Sequence, residues 1–376
     1  MALIKKDYGL IYNDDGSLCV TVRDDDVPFQ GVKSYAIEEA TENLITDLDP
    51  RNWNNYGATV ELTNEKYMNM PVYKVTMSET SGARIFFNIP YVTGDTLNGS
   101  VYIKPIQYSS VRNPDLFFRE VGFGTVYEQI RFPSNMNVWN RINVNHTFDS
   151  DGTVMFLLYT PIATNDIPNI FYMAMPQVEK KPFATSFVDG SRPKGQIEIS
   201  RNSLSFDIAN DDWVISYWEK PIATRDGTLT SYNINALGRN VSGFTEGYIW
   251  WGKDSNYNYF RMAIVNINNE NISINSAVFD PTWYFDNWHF EILLKVGNLL
   301  KYYVDGILQM SFTLSIPLLN NFDRGLFIGG ALNSPSNSLI SNLLYGKCRN
   351  KEGNLVWTDE YIQEVYEAKK PFNKNL

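Results

Sequence analysis

Two histidines, His146 and His289, and two cysteines, Cys19 and Cys348, are all that 376 residues offer for imidazole or thiol chemistry. Zinc clusters and multi-histidine centres need more ligands than that, so no metal site is expected. A Ser-His-Asp arrangement would have to recruit one of two isolated histidines, with no G-x-S-x-G elbow to present the serine. Carboxylate-pair hydrolysis needs two acids about 5 to 5.5 Å apart for retention, or about 6.5 to 9.5 Å for inversion. The patterns E-x-D-x-E and E-x-D-x-x-E, which place alternate acids on one strand face, are both absent. Neither G-x-x-x-x-G-K-[ST] nor G-x-G-x-x-G occurs, so no nucleotide cofactor is expected. Asp149-Ser150-Asp151-Gly152 begins like an oxygen-ligand calcium loop, but no Glu trails it at the needed spacing, and it reads as a hairpin turn. His289, within a strand, reads as structural. No enzymatic activity is expected.

What the chain does offer is aromatic rings, 14% of its residues. On a β-sandwich, exposed ring faces can stack against sugar rings while Asn, Asp and backbone groups bond the hydroxyls. The densest run is Gly247-Tyr248-Ile249-Trp250-Trp251-Gly252, then a turn over 253–256, then Tyr257-Asn258-Tyr259-Phe260-Arg261. Strand alternation puts Tyr248 and Trp250 on one face and Ile249 and Trp251 on the other. One face must be core, so at most half of these rings can meet a ligand. The candidate carbohydrate contacts are Tyr248, Trp250, Trp251, Asn256, Tyr257, Asn258 and Tyr259, joined by Trp53 and Tyr56 from a polar turn near the N-terminus. Trp139 and Trp288, at strand starts, read as core.

The elements that must position these residues are strands. With 44% hydrophobic residues the chain can bury real cores, and 24 Gly and 17 Pro punctuate many short segments. A net charge of −10, with no basic cluster denser than Lys180-Lys181 or Lys369-Lys370, argues against nucleic acid as a ligand. No apolar stretch approaches the roughly 20 residues that span a bilayer, so no membrane insertion is expected. No apolar segment follows Lys5 and Lys6 as a secretory signal requires, and synthesis in a reducing cytoplasm is expected.

Tyr8–Tyr12 and Ser17–Val22 flank Asp15-Gly16 as a hairpin, too small to be stable alone. Residues 1–35 are therefore expected to form an anchoring arm, with Asp24-Asp25-Asp26 a solvated turn. Strands at 59–62, 72–76, 83–87, 100–104, 141–145 and 154–158 suggest an antiparallel sandwich over 36–187. A Pro- and Gly-rich stretch near 180–195 marks a boundary, and 188–376 forms a second sandwich. There, 288–296, 300–304 and 307–312 make a meander around Gly297-Asn298 and Asp305-Gly306. One helix closes the chain: Thr358 caps it, Tyr361, Ile362, Val365 and Tyr366 share a face, and Pro371 stops it. The fold class is all-β: two antiparallel β-sandwiches (jelly rolls) in tandem, with a short N-terminal hairpin and a short C-terminal helix.

The second half carries Trp218-Glu219-Lys220-Pro221, Trp288-His289-Phe290, Tyr303-Val304-Asp305-Gly306, Leu326-Phe327-Ile328-Gly329-Gly330 and Trp357-Thr358-Asp359-Glu360-Tyr361-Ile362, in that order. In this it resembles the concanavalin A-like (laminin G-like) lectin/glucanase superfamily. It departs from the family's I-D-D-[VI]-R-I-Y, reading Leu339-Ile340-Ser341-Asn342-Leu343-Leu344-Tyr345 without the paired acids. The first half carries Glu42-Asn43-Leu44-Ile45, Trp53-Asn54-Asn55-Tyr56-Gly57, Met175-Pro176-Gln177-Val178-Glu179 and Phe183-Ala184-Thr185-Ser186-Phe187. These resemble jelly-roll carbohydrate-binding modules of bacteriophage tail and fibre proteins. The resemblances imply a non-enzymatic virion structural protein of a tail, fibre or head appendage, assembled in the host cytoplasm. It would contact other virion proteins through residues 1–35, bind host-surface glycans and form a homo-oligomer, a trimer being favoured. The alternative is a purely architectural or decoration component that binds no sugar.

Overall fold

The computed structural model describes residues 4–6, 10–12, 18–23, 26–38, 40–78, 82–109, 113–160, 167–192, 195, 197–199, 201–222, 233–238, 249–253, 259–265, 271–315, 318, 325–329 and 338–369. The chain is all-β, with antiparallel sheets throughout and a C-terminal helix, Asp359–Ala368. It forms two compact units. Ala40–Arg192 is one; Met1–Glu39 together with Pro193–Leu376 is the other, so the first is an insertion in the sequence of the second.

The inserted unit has two five-stranded sheets. One runs, in spatial order, Asn140–Thr147, Thr96–Gln107, Asn169–Glu179, Met70–Met77, Ala58–Tyr67. The other runs Val126–Arg131, Asp115–Glu120, Gly152–Tyr159, Arg84–Tyr91, Asn54–Tyr56. Alternation decides the faces: Leu97, Val101 and Ile103 point into a core with Phe118, Phe156 and Phe171, and Asn98, Ser100, Tyr102 and Lys104 take the outer face. Gly99 lies in the middle of that strand because a Cβ there would fall 2.7 Å from Phe156 and 2.8 Å from Phe118. Asp149-Ser150-Asp151 is not a hairpin turn. The strands on either side of it belong to different sheets, and the Asp151 carboxylate accepts from the Thr93 backbone N–H (2.7 Å) and hydroxyl (2.8 Å).

The discontinuous unit has a nine-stranded sheet in the order Ile4–Lys6, Leu10–Tyr12, Leu18–Arg23, Ser34–Ile37, Ser338–Lys347, Trp213–Pro221, His289–Val296, Leu299–Val304, Ile307–Thr313. Its six-stranded sheet runs Ile197–Ile199, Leu326–Ile328, Asn233–Leu237, Ile249–Lys253, Phe260–Val265, Asn271–Asn275. The N-terminal hairpin forms with Ile11 opposite Val20, and its second strand pairs onward with Ser34–Ile37, so residues expected as a separate arm extend this sheet. Asp26 is no solvated turn residue: its carboxylate takes the Lys220 ammonium (2.7 Å) and the Trp288 indole N–H (2.9 Å). Asp305 and Gly306 take φ of 53° and 79°, the positive pair a tight hairpin turn requires.

Candidate functional site

The aromatic run divides as alternation requires. Ile249 and Trp251 are fully buried in the core of the discontinuous unit, and the Trp251 indole N–H donates to the Tyr217 hydroxyl at 2.9 Å. A ring with no accessible surface cannot stack on a ligand, so Trp251 is a packing residue. Trp250, on the other face, is half-buried against Ala236 and Phe327, with the Arg261 guanidinium 5.2 Å from its ring centre. Tyr259, immediately before the strand Phe260–Val265, is half-buried. Tyr248, Asn256, Tyr257 and Asn258 lie outside the described residues.

In the inserted unit Trp53 is only 4% exposed. Its N–H donates to the Asp47 carbonyl (2.8 Å), and its ring packs on Phe87 and Phe156. The polarity of its sequence neighbours hid a core residue. Tyr56 stays 51% exposed, with the Arg84 guanidinium 4.7 Å from its ring centre.

Several sequence motifs meet as structural joints. The Asp305 carboxylate binds His289 Nδ1 (2.7 Å) and accepts the Phe290 N–H (2.8 Å), tying the Tyr303–Gly306 turn to the Trp288–Phe290 strand. His289 Nε2 faces the carbonyls of Trp283 (3.1 Å) and Tyr284 (3.0 Å), so that nitrogen carries its hydrogen and offers no lone pair for base chemistry. In the inserted unit, buried Glu179 accepts from Thr41, Gln177 and both the N–H and hydroxyl of Thr185, at 2.7–2.8 Å. Asn43 bonds Val178 and Ile45 N–H with its carbonyl, and the Pro176 and Val188 carbonyls with its amide. The three motifs at 42–45, 175–179 and 183–187 are thus one buried hydrogen-bonded node.

The node occupies half of one outer sheet face; the other half carries rings. Tyr67, at the end of its strand, stacks on Trp139 at 4.3 Å and 17° and leans on buried Tyr102 at 5.3 Å. Lys104 and Tyr172 are direct cross-strand partners, and Tyr172 in turn faces Lys74. The Lys104 ammonium lies 5.1 Å from the Tyr172 ring centre, 5.9 Å from that of Trp139, and 3.4 Å from Glu65. Lys74 pairs with Glu61 at 3.5 Å. Tyr67, Trp139 and Tyr172 are all half-buried, packed on a small buried cluster of Val72, Tyr102, Ala174 and Met175. Half-exposed rings with a cation and carboxylates between them can stack a sugar ring and bond its hydroxyls. Trp139, expected in the core, is half-buried in this cluster on the outer face rather than between the two sheets. The sequence signal that could have found this face is the alternation Val101-Tyr102-Ile103-Lys104, which turns a ring and a cation away from the core.

No family model matches this chain, and no curated protein does. Among solved structures it is similar to the carbohydrate-binding module of the Ruminococcus gnavus IT-sialidase, bound to α2,3-sialyllactose (12% identity, 46% of this chain, 97% of that one, TM-score 0.31). It is also similar to domain 4 of the extracellular arabinanase AbnA of Geobacillus stearothermophilus, in complex with arabinotriose (16% identity, 42% and 68%, TM-score 0.30). A third likeness is to the binding domain of botulinum neurotoxin serotype G (11% identity, 46% and 40%, TM-score 0.33). Of the botulinum neurotoxin serotype G and D binding domains, the chain spans about two fifths of the length.

Proposed function

We propose that this chain is a non-enzymatic structural protein of a bacteriophage virion, in a tail, fibre or head appendage, and that it binds host-surface glycans. The observation that carries glycan binding is the outer sheet face of the inserted unit, where the half-buried rings of Tyr67, Trp139 and Tyr172 gather with Lys104 and Glu65. Support for the virion setting is the resemblance of residues 42–57 and 175–187 to phage modules. In this reading residues 1–35 contact other virion proteins and the chain is a homo-oligomer, a trimer. Because residues 1–35 also form part of the nine-stranded sheet, the first is tested by cross-linking them in intact particles, no cross-link to another virion protein counting against it; light scattering of the full chain at micromolar concentration tests the second, a monomer counting against it.

The glycan reading is tested by titrating the full chain with host-surface polysaccharide. Trp139→Ala should weaken binding by roughly 1 to 3 kcal/mol, by analogy with ring stacking elsewhere, and leave the melting temperature nearly unchanged. Trp251→Ala should do the reverse, costing about 3 to 5 kcal/mol of stability. If Trp139→Ala and Tyr172→Ala both bind as the parent does, this face is packing and not the glycan site; if the parent binds no polysaccharide, the chain is an architectural spacer.

A further inference from the structure

We propose that the other sheet of the inserted unit carries, on its outer face, a site for a carboxylate-bearing saccharide, built by Tyr56, Arg84, Phe123 and Arg119. Arg84 starts its strand directly opposite Tyr56 on one side and Tyr159 on the other. Its guanidinium carbon lies 4.7 Å from the Tyr56 ring centre and 4.2 Å from that of Phe123; the Arg119 guanidinium lies 5.0 Å from the same Phe123 ring. Two cations thus share one ring, and one of them is flanked by a second ring that is 51% exposed.

Phe123 is held there at a cost. Its φ is +67°, a conformation unfavourable for a bulky side chain. Arg119 maintains it by donating Nη2–H to the Phe123 carbonyl (2.8 Å) and Nε–H to the Gly124 carbonyl (3.4 Å), while the ring packs against the Phe117, Met155 and Leu157 cluster. Arg119 therefore spends its donors on the turn and contributes its charge. Arg84 differs: among the described residues its one hydrogen bond is a long one, Nη1–H to the Gly82 carbonyl at 3.3 Å, and its buried Nε has no partner among them. A guanidinium has five N–H donors in a planar fork that matches a carboxylate.

The charge balance points the same way. The chain is net −10, yet among the described residues neither Arg84 nor Arg119 is ion-paired, while Asp115 on the same face is taken by Arg131 at 3.4 Å. Two uncompensated guanidinium groups beside an exposed tyrosine ring suit a ligand with both a carboxylate and a sugar ring: the fork binds the first and Tyr56 stacks the second. The site takes from the proposed function only that the ligand is a saccharide, and it uses none of the residues around Trp139.

The test is calorimetric titration of the full chain with tetragalacturonate, with its methyl ester, which keeps the rings and removes the charge, and with inorganic phosphate. The acid should bind, the ester at least tenfold more weakly, and phosphate should displace the acid only at tenfold or greater excess over it. Arg84→Gln should lose at least tenfold in affinity with an unchanged melting temperature; should that variant unfold, Arg84→Lys, which keeps the charge and loses the fork, should show the same loss. Trp139→Ala should bind the acid as the parent does, which separates this site from the other face. Equal binding of acid and ester, no binding of the acid, full affinity in both Arg84 variants, or displacement by equimolar phosphate, which marks a bare-anion site, each overturns it.

Discussion

Three tyrosine hydroxyls converge on one buried carboxylate in the discontinuous unit. Tyr217 and Tyr302 donate to one oxygen of Glu291 (2.7 Å each) and Tyr284 to the other (3.0 Å). Tyr217 can only donate to Glu291, because its oxygen already accepts from Asn235 (2.8 Å) and Trp251 (2.9 Å). Burial pushes the Glu291 carboxyl above its ordinary 4.5, against the pull of the three hydroxyls. A carboxyl raised in the folded state holds its proton more tightly there than in the unfolded chain. Its contribution is therefore fully present below about pH 4.5 and lost as pH climbs through the raised value. In urea titrations from pH 4 to 8, Glu291→Gln should remove that part of the slope. Glu291→Leu strands three buried hydroxyls at about 1 to 3 kcal/mol each, and should cost roughly 3 kcal/mol or more. A leucine variant as stable as the glutamine one would show that the network contributes little.

At the scale of elements, the C-terminal helix depends on what it covers. Ten residues are too few for a stable isolated helix. Ile362, Val365 and Tyr366 pack on Trp218, Phe290 and Ile292 of the nine-stranded sheet, and Thr358 caps the first turn by accepting the Tyr361 N–H at 3.2 Å. Asp359 pins that end, accepting from the Tyr303 hydroxyl (2.6 Å) and the Lys301 ammonium (2.9 Å), and these two hold its carboxyl below the ordinary 3.8. A depressed carboxyl contributes stability above its unfolded value and loses it as pH falls through the folded one. Asp359→Asn should destabilise by under about 1 kcal/mol at pH 7, since the carboxylate is solvent-screened. In thermal melts the gap to the parent should close below about pH 3.8; a gap constant with pH would mean that charge plays no part.

At the scale of the whole molecule, the inserted unit is closed on itself. Thr41–Glu42 pairs antiparallel with Ser191–Arg192, so the chain leaves the unit where it came in, and the Glu179 node locks the two ends together from within. Its main core is a cluster running from Ile45 to Val178 between the two sheets. Residues 40–192 expressed alone should therefore melt cooperatively, and the remainder, with Glu39 joined to Pro193 through a short glycine linker, should do the same. Calorimetry reads both. A non-cooperative melt of the excised unit would show that its fold needs the rest of the chain.

Strand and turn positions were legible in the sequence because their signals are local. Residue pattern marked 100–104, inside the observed Thr96–Gln107, and 288–296, which forms His289–Val296; Asp305-Gly306 marked its turn, and Thr358 with the 361–366 face marked the helix. Alternation also showed that Trp250 and Trp251 must separate, but period-two patterning is blind to which face meets the second sheet, and only packing buried Trp251. Pairing partners are just as hidden when they are distant in sequence. Ser34–Ile37 joins Ser338–Lys347, and the hairpin expected as an arm was carried into the same sheet, because backbone pairing does not depend on which distant strand supplies the edge. The motifs that carried the family resemblances were visible as letters, yet their roles as the Asp305 and Glu179 joints come from contacts across 15 to 138 residues. The ring faces at Tyr67–Trp139 and Tyr56–Arg84–Phe123 likewise gather side chains from separate strands and turns. Residue types and local periods determined the elements; long-range pairing, which no local period encodes, decided which of their side chains stand together in solvent.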